Sequence, residues 1–151
     1  MNSMSRLLPW FGRIVLAAAT LVMTSIAARN LIDPVAANLP LGIVLASPSA
    51  VTVARVGFGG FPLGFAAALF VCLVRRHTVA GLSLVLAVVG GALVARVQGL
   101  MLDGATPYNV GLLKPELAMV TLSVVGIALE WRYGGGRGEL AASRLQPTVS
   151  R

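Results

Sequence analysis

From Ile14 to Ala28 the chain runs without a single charged residue, and three more stretches of comparable length and character follow. A helix needs roughly 20 mostly apolar residues to cross the hydrocarbon of a bilayer. The sequence predicts such spans at about Leu7 to Ile32, Ala50 to Val74, Thr78 to Leu102 and Pro115 to Trp131. They show neither the polar stripe of a soluble amphipathic helix nor the strict alternation of a membrane-barrel strand. The fold expected is therefore all-α: an integral membrane four-helix bundle with short loops, residues 1–133, followed by a flexible cytoplasmic tail, 134–151.

Composition supports that solvent. Of 151 residues, 57% are hydrophobic and 11% charged, against about 25% charged in an ordinary soluble domain. This polar complement cannot cover the surface of a small water-soluble domain. Cys72 is the one cysteine and His77 the one histidine. That excludes an intramolecular disulfide, a thiolate zinc site and bis-histidine haem ligation within one chain. No metal or cofactor is expected. The net charge of +7 comes from scattered arginines without interleaved aromatics, which argues against nucleic acid as a partner.

Those arginines read instead as topology. One set of chain ends carries Arg6, Arg13, Arg75, Arg76, Arg132, Arg137, Arg144 and Arg151, the opposite set mainly Arg29, Lys114, Asp33, Asp103 and Glu116. By the positive-inside rule both termini and the Arg75-Arg76 turn lie in the cytoplasm. Trp10, Trp131 and Tyr133 then form a belt at that face. A cleavable signal peptide is the competing account of the N-terminus, with Ile26-Ala27-Ala28 as its cleavage site, but the apolar run is long for one.

Between the spans, Asp33, Pro34, Asn38, Pro40 and Pro48 break the chain, and the short apolar run Leu41 to Leu45 reads as re-entrant or interfacial. Asp103-Gly104 through Lys114-Pro115 reads as a loop, with Pro115 in the first turn of the last helix. The ends of the first and third spans echo each other weakly, Arg29 to Asp33-Pro34 against Arg96 to Asp103 and Pro107.

Two arginines stand inside apolar spans. An arginine at the centre of a bilayer costs about 2.5–3.5 kcal/mol on insertion scales. Arg55 lies about one turn into the second span, and Arg96 one to two turns before the third ends. Both are near the end that carries Asp103 and Glu116. Arg96 and Asp103, seven apart, share a face if the helix extends that far. Together with Tyr108 and Asn109 these groups define a polar cluster. It serves either as a structural clamp between helices, as a pocket for an anionic ligand, lipid head group or quinone head, or as a proton path. Glu130 is expected in an interfacial salt bridge with Arg75, Arg76 or Arg132, His77 in solvent, and Cys72 packed and inert. No nucleophile, base and acid come together, so no catalytic residue is expected.

The second span contains Gly57-Phe58-Gly59-Gly60-Phe61-Pro62-Leu63-Gly64. Gly60 and Gly64 have the small-xxx-small spacing that lets helix backbones touch in lipid. Gly57, and Gly90, Gly91 and Gly99 on the third span, extend the same expectation of helix packing. A ligand-access notch facing Arg55 is the alternative use. Pro62 removes an N–H and should kink the helix.

The stretch from Arg55 to Glu130 resembles a family of small bacterial membrane proteins designated domain of unknown function 4345. The resemblance rests on Arg55 with Gly59, Gly60 and Gly64, on Arg96 with Asp103, Gly104 and Pro107, and on Glu116 opening the last helix. It covers about half the chain. It implies a four-helix bacterial inner-membrane protein with its polar residues on the cluster above, and no activity. A more distant similarity to DoxX-like four-helix membrane proteins would imply a quinone-linked or accessory role. The function expected is an accessory or scaffold subunit in the lipid bilayer, as a homo-oligomer or within a larger membrane complex. The alternative is a small carrier or membrane enzyme component using the Arg/Asp/Glu pocket.

Overall fold

A computed structural model of the chain describes residues 4–134. Among the described residues there is no strand, and the architecture is an all-α four-helix bundle. The elements in order are α1 (Met4–Ile32), α2 (Pro34–Asn38), a 3-10 turn (Leu39–Leu41), α3 (Pro48–Ala54), a π-helical turn (Arg55–Gly60), α4 (Phe61–Val74), α5 (Thr78–Leu102) and α6 (Pro107–Gly134). Four stretches are long and apolar enough to cross a membrane: Trp10–Ile32, Pro48–Val74, Thr78–Leu102 and Pro107–Arg132. The tail expected at 134–151 lies, but for Gly134, outside the described residues.

Helix α1 is the hub, packing against α4, α5 and α6. The core is a small apolar seam, with Val15, Leu16, Ala19, Leu69, Leu82, Val85 and Val89 buried together. Most other large apolar side chains point outward, among them Ile32, Val44, Met101 and Trp131. In water such a surface would drive association. In hydrocarbon it is simply wetted by acyl chains, and helix contacts come from close packing rather than from burial of oily area.

That packing is closest at glycines. A Cβ on Gly81 would lie 2.8 Å from both methyls of Leu16 and 3.0 Å from the Cys72 Cβ. On Gly12 it would lie 2.8 Å from Thr78 Cγ2, and on Gly126 it would lie 2.8 Å from Leu82 Cδ1 and 3.6 Å from the Gly12 Cα. On Gly59 it would meet Leu31 at 2.9 Å. The spacing in the sequence points to other positions. Gly57, Gly64, Gly90 and Gly91 have nothing within 4 Å of a built Cβ, and Gly60 meets only the Arg55 carbonyl of its own helix at 3.9 Å. A side chain at any of those five positions would start out clear of the other described helices.

For Gly57, Gly60 and Gly64 the reason lies within their own span. Pro62 brings no N–H, and its ring crowds the carbonyl four residues before it. The helix widens there: the Phe61 N–H reaches back five residues to Val56 O. This wide turn leaves Ala54 and Gly59 buried on one side, while Arg55, Gly60 and Gly64 are exposed.

The polar ends are tied by local chemistry. Asp33 accepts from Ala36 N at 3.0 Å and caps α2. Ser47 does the same for α3 through Ala50 N. At the α4–α5 turn, His77 N donates to Cys72 O and Arg76 N to Leu73 O, a Schellman closure with Arg76 at φ 60° in the position that glycine usually fills. The last span departs from the sequence expectation. Helix α6 begins at Pro107, Thr106 Oγ1 accepts from Asn109 N, and Pro115 lies inside the helix instead of opening it. Proline costs the Gly111 carbonyl its partner, but near a membrane end water can replace it.

Candidate functional site

The polar cluster is built where α5 and α6 run side by side. Arg96 lies within α5, and Glu116 lies on α6. The Arg96 Nε donates to both carboxylate oxygens of Glu116, at 2.9 and 2.8 Å, and Nη2 donates to Oε1 at 2.6 Å. This is the fork-on-carboxylate geometry that gives arginine pairs their strength. The remaining amino group, Nη1, reaches Asn109 Oδ1 at 3.4 Å, the weakest of the set. The two side chains are 23% and 16% exposed, and theirs is the one salt bridge among the described residues. In a low-dielectric setting such a pair is stable only while both partners remain.

Only part of the sequence-predicted cluster meets here. Asn109, expected in a loop, stands in the first turns of α6 and serves Arg96. Tyr108, beside it, is exposed. Asp103 caps the end of α5: its N–H donates to Gly99 O at 2.8 Å, and its side chain is turned back toward Gly99. The helix stops at Leu102, so the seven-residue spacing to Arg96 does not place the two groups together. Arg55 is exposed on the second span, and its side chain makes no hydrogen bond or ion pair among the described residues. The cluster is thus one tight pair with an amide partner, and Arg55 and Asp103 stand apart from it.

At the opposite end, Glu130 forms no salt bridge among the described residues; its carboxylate lies near Gly12. Arg13 instead sits over the Trp10 ring, 4.9 Å from the ring centre. His77 is exposed, and Cys72 packs beside the core. Among the described residues no group of three or more His, Cys, Asp or Glu stands close enough to hold a metal ion.

A second polar contact was not foreseen from sequence. Asn38 Nδ2 donates to Asn30 Oδ1 at 2.9 Å and to Pro34 O at 2.7 Å, while Asn30 Nδ2 donates to Ile26 O at 3.0 Å. Both amides are buried, Asn38 almost completely. They fold α2 back on the end of α1. The available signal was a pair of asparagines flanking Asp33-Pro34, where a purely solvated loop would not need amides that satisfy each other.

No protein-family model, curated protein or solved structure matches the chain.

Proposed function

We propose that this protein is an accessory or scaffold subunit of a bacterial inner membrane, with both termini cytoplasmic and no catalysis of its own. One observation carries the reading. The Arg96–Glu116 pair spends its charge internally, with both carboxylate oxygens and the guanidinium edge facing each other. A ligand would have to break that pair before using either group. Its work is to hold α5 against α6. The wide apolar exterior, with unfilled glycine positions at Gly57, Gly64, Gly90 and Gly91, supports a role in which lipid or neighbouring chains supply the remaining contacts. The resemblance to the family of unknown function 4345 belongs to the same proposal.

The rival reading, a small carrier or a quinone- or head-group-binding component, needs Arg55, Arg96, Asp103 and Glu116 around one pocket. The separate positions of Arg55 and Asp103 weaken it. Affinity capture of the full chain in mild detergent, with partners and small molecules identified by mass spectrometry, tests the choice. A stoichiometric membrane partner that survives Arg96→Met together with Glu116→Met supports the scaffold. A bound quinone or metabolite lost in that double variant supports the rival.

A further inference from the structure

The π-helical turn does more than absorb Pro62. In an unbroken α-helix Arg55 would stack over Gly59, which is buried against Leu31 of α1. The extra residue in the turn brings Gly60 beneath Arg55 instead, close enough that a Cβ on Gly60 would lie 3.9 Å from the Arg55 carbonyl. Gly64 follows one α-turn further. Arg55, Gly60 and Gly64 therefore line up on the outer face of the span. Below the arginine the missing side chains leave an apolar groove of about 440 Å³, lined by Val56, Gly60, Phe61, Gly64 and Phe65.

The depth of Arg55 suits a phosphate. Pro48–Val74 has 27 residues, about 40 Å of helix against a hydrocarbon thickness of about 30 Å. Arg55 is then roughly 10 Å below the start of the span at 1.5 Å per residue, within snorkelling reach of the head-group layer at that end. No acid among the described residues takes its charge: Glu116 is held by Arg96, Asp33 caps α2, Asp103 turns toward Gly99, and Glu130 lies near Gly12 at the other end of the bundle.

We infer that this face binds one anionic phospholipid, its phosphate on Arg55 and an acyl chain in the groove over Gly60 and Gly64. A second copy of the chain fits less well. A two-fold contact about the membrane normal brings the same surface of each copy together at equal depth. Two Arg55 guanidiniums would then face each other in a medium that screens them poorly. An anionic lipid offers the charge that the site lacks. The inference stands apart from the scaffold reading, because it uses none of the Arg96–Glu116 pair.

Native mass spectrometry of the full chain, released from mild detergent after equilibration with equal phosphatidylglycerol and phosphatidylcholine, tests it. The wild-type chain should retain one phosphatidylglycerol in preference to phosphatidylcholine. Arg55→Gln should lower phosphatidylglycerol retention about fivefold, toward the phosphatidylcholine level. Gly64→Leu, whose new side chain starts in open space, should lower retention of both lipids. Arg29→Gln, removing another exposed arginine at the same end, should change neither. Equal retention by Arg55→Gln and wild type overturns the inference, as does an equal loss in Arg29→Gln, which would mean diffuse charge attraction. A dimer dissolved by Gly64→Leu overturns it too, by assigning the groove to a second chain.

Discussion

Arg96 on α5 and Glu116 on α6 are twenty positions apart and joined by three hydrogen bonds, the shortest 2.6 Å. Their side chains are mostly withdrawn from the surface. Losing one partner leaves the other charge uncompensated in a region that solvates it poorly, at a cost on the order of 3 kcal/mol. Arg96→Met and Glu116→Met should each lower the thermal midpoint of the detergent-solubilised chain, and the two combined should recover most of the loss. If the double variant is as unstable as the sum of the single ones, the pair is not a unit.

The buried amides make a second, separable prediction. Asn38→Leu removes the donor for Asn30 Oδ1 and for the Pro34 carbonyl. An orphaned buried acceptor costs about 1–3 kcal/mol. The damage should be local. Protease cleavage between residues 33 and 47 should accelerate several-fold, while the α5–α6 pair keeps its stability. A uniform drop in the global melting temperature with no change in loop cleavage would contradict it.

Glycine substitutions should divide by contact rather than by spacing. Gly126→Val and Gly81→Val drive a side chain into Leu82 or Leu16 at the centre of the bundle, where overpacking costs typically about 1–3 kcal/mol. Gly90→Ala and Gly91→Ala meet open space and should be neutral, or stabilising by about 0.5–1 kcal/mol through helix propensity. Thermal unfolding of the four variants side by side checks the division. Comparable losses at Gly90 and Gly126 would sink it.

Arg76 occupies a left-handed conformation at the α4–α5 turn. A non-glycine residue there carries about 1–2 kcal/mol of strain. Arg76→Gly should therefore raise the melting temperature, and Arg76→Val should lower it. A reporter fused to the C-terminus separates this from topology, since Arg75 remains to hold the turn on its side of the bilayer.

The number and placement of the spans were legible because hydrocarbon imposes a length and a polarity that few soluble segments share. The start of α6 was not. Lys114, Pro115 and Glu116 interrupt the apolar run and resemble a loop, yet Thr106 and Pro107 supply a cap and a first turn eight residues earlier. The cluster was half legible for the same reason: Glu116 lies well inside α6 and does not open it, and Asp103 could share a face with Arg96 only if α5 ran past Leu102, where it ends. The glycines were visible but their direction was not. Facing depends on the cumulative rotation along a helix, and one π turn between Arg55 and Gly60 changes what every later residue looks toward.

Because α1 leans on α4, α5 and α6 at once, it completes its contacts only once α6 is in place. Gly12 waits for Thr78 and Leu82, and then for Gly126, more than a hundred positions downstream. Until α5 and α6 are both seated, α1 carries an open notch where Gly12 faces them.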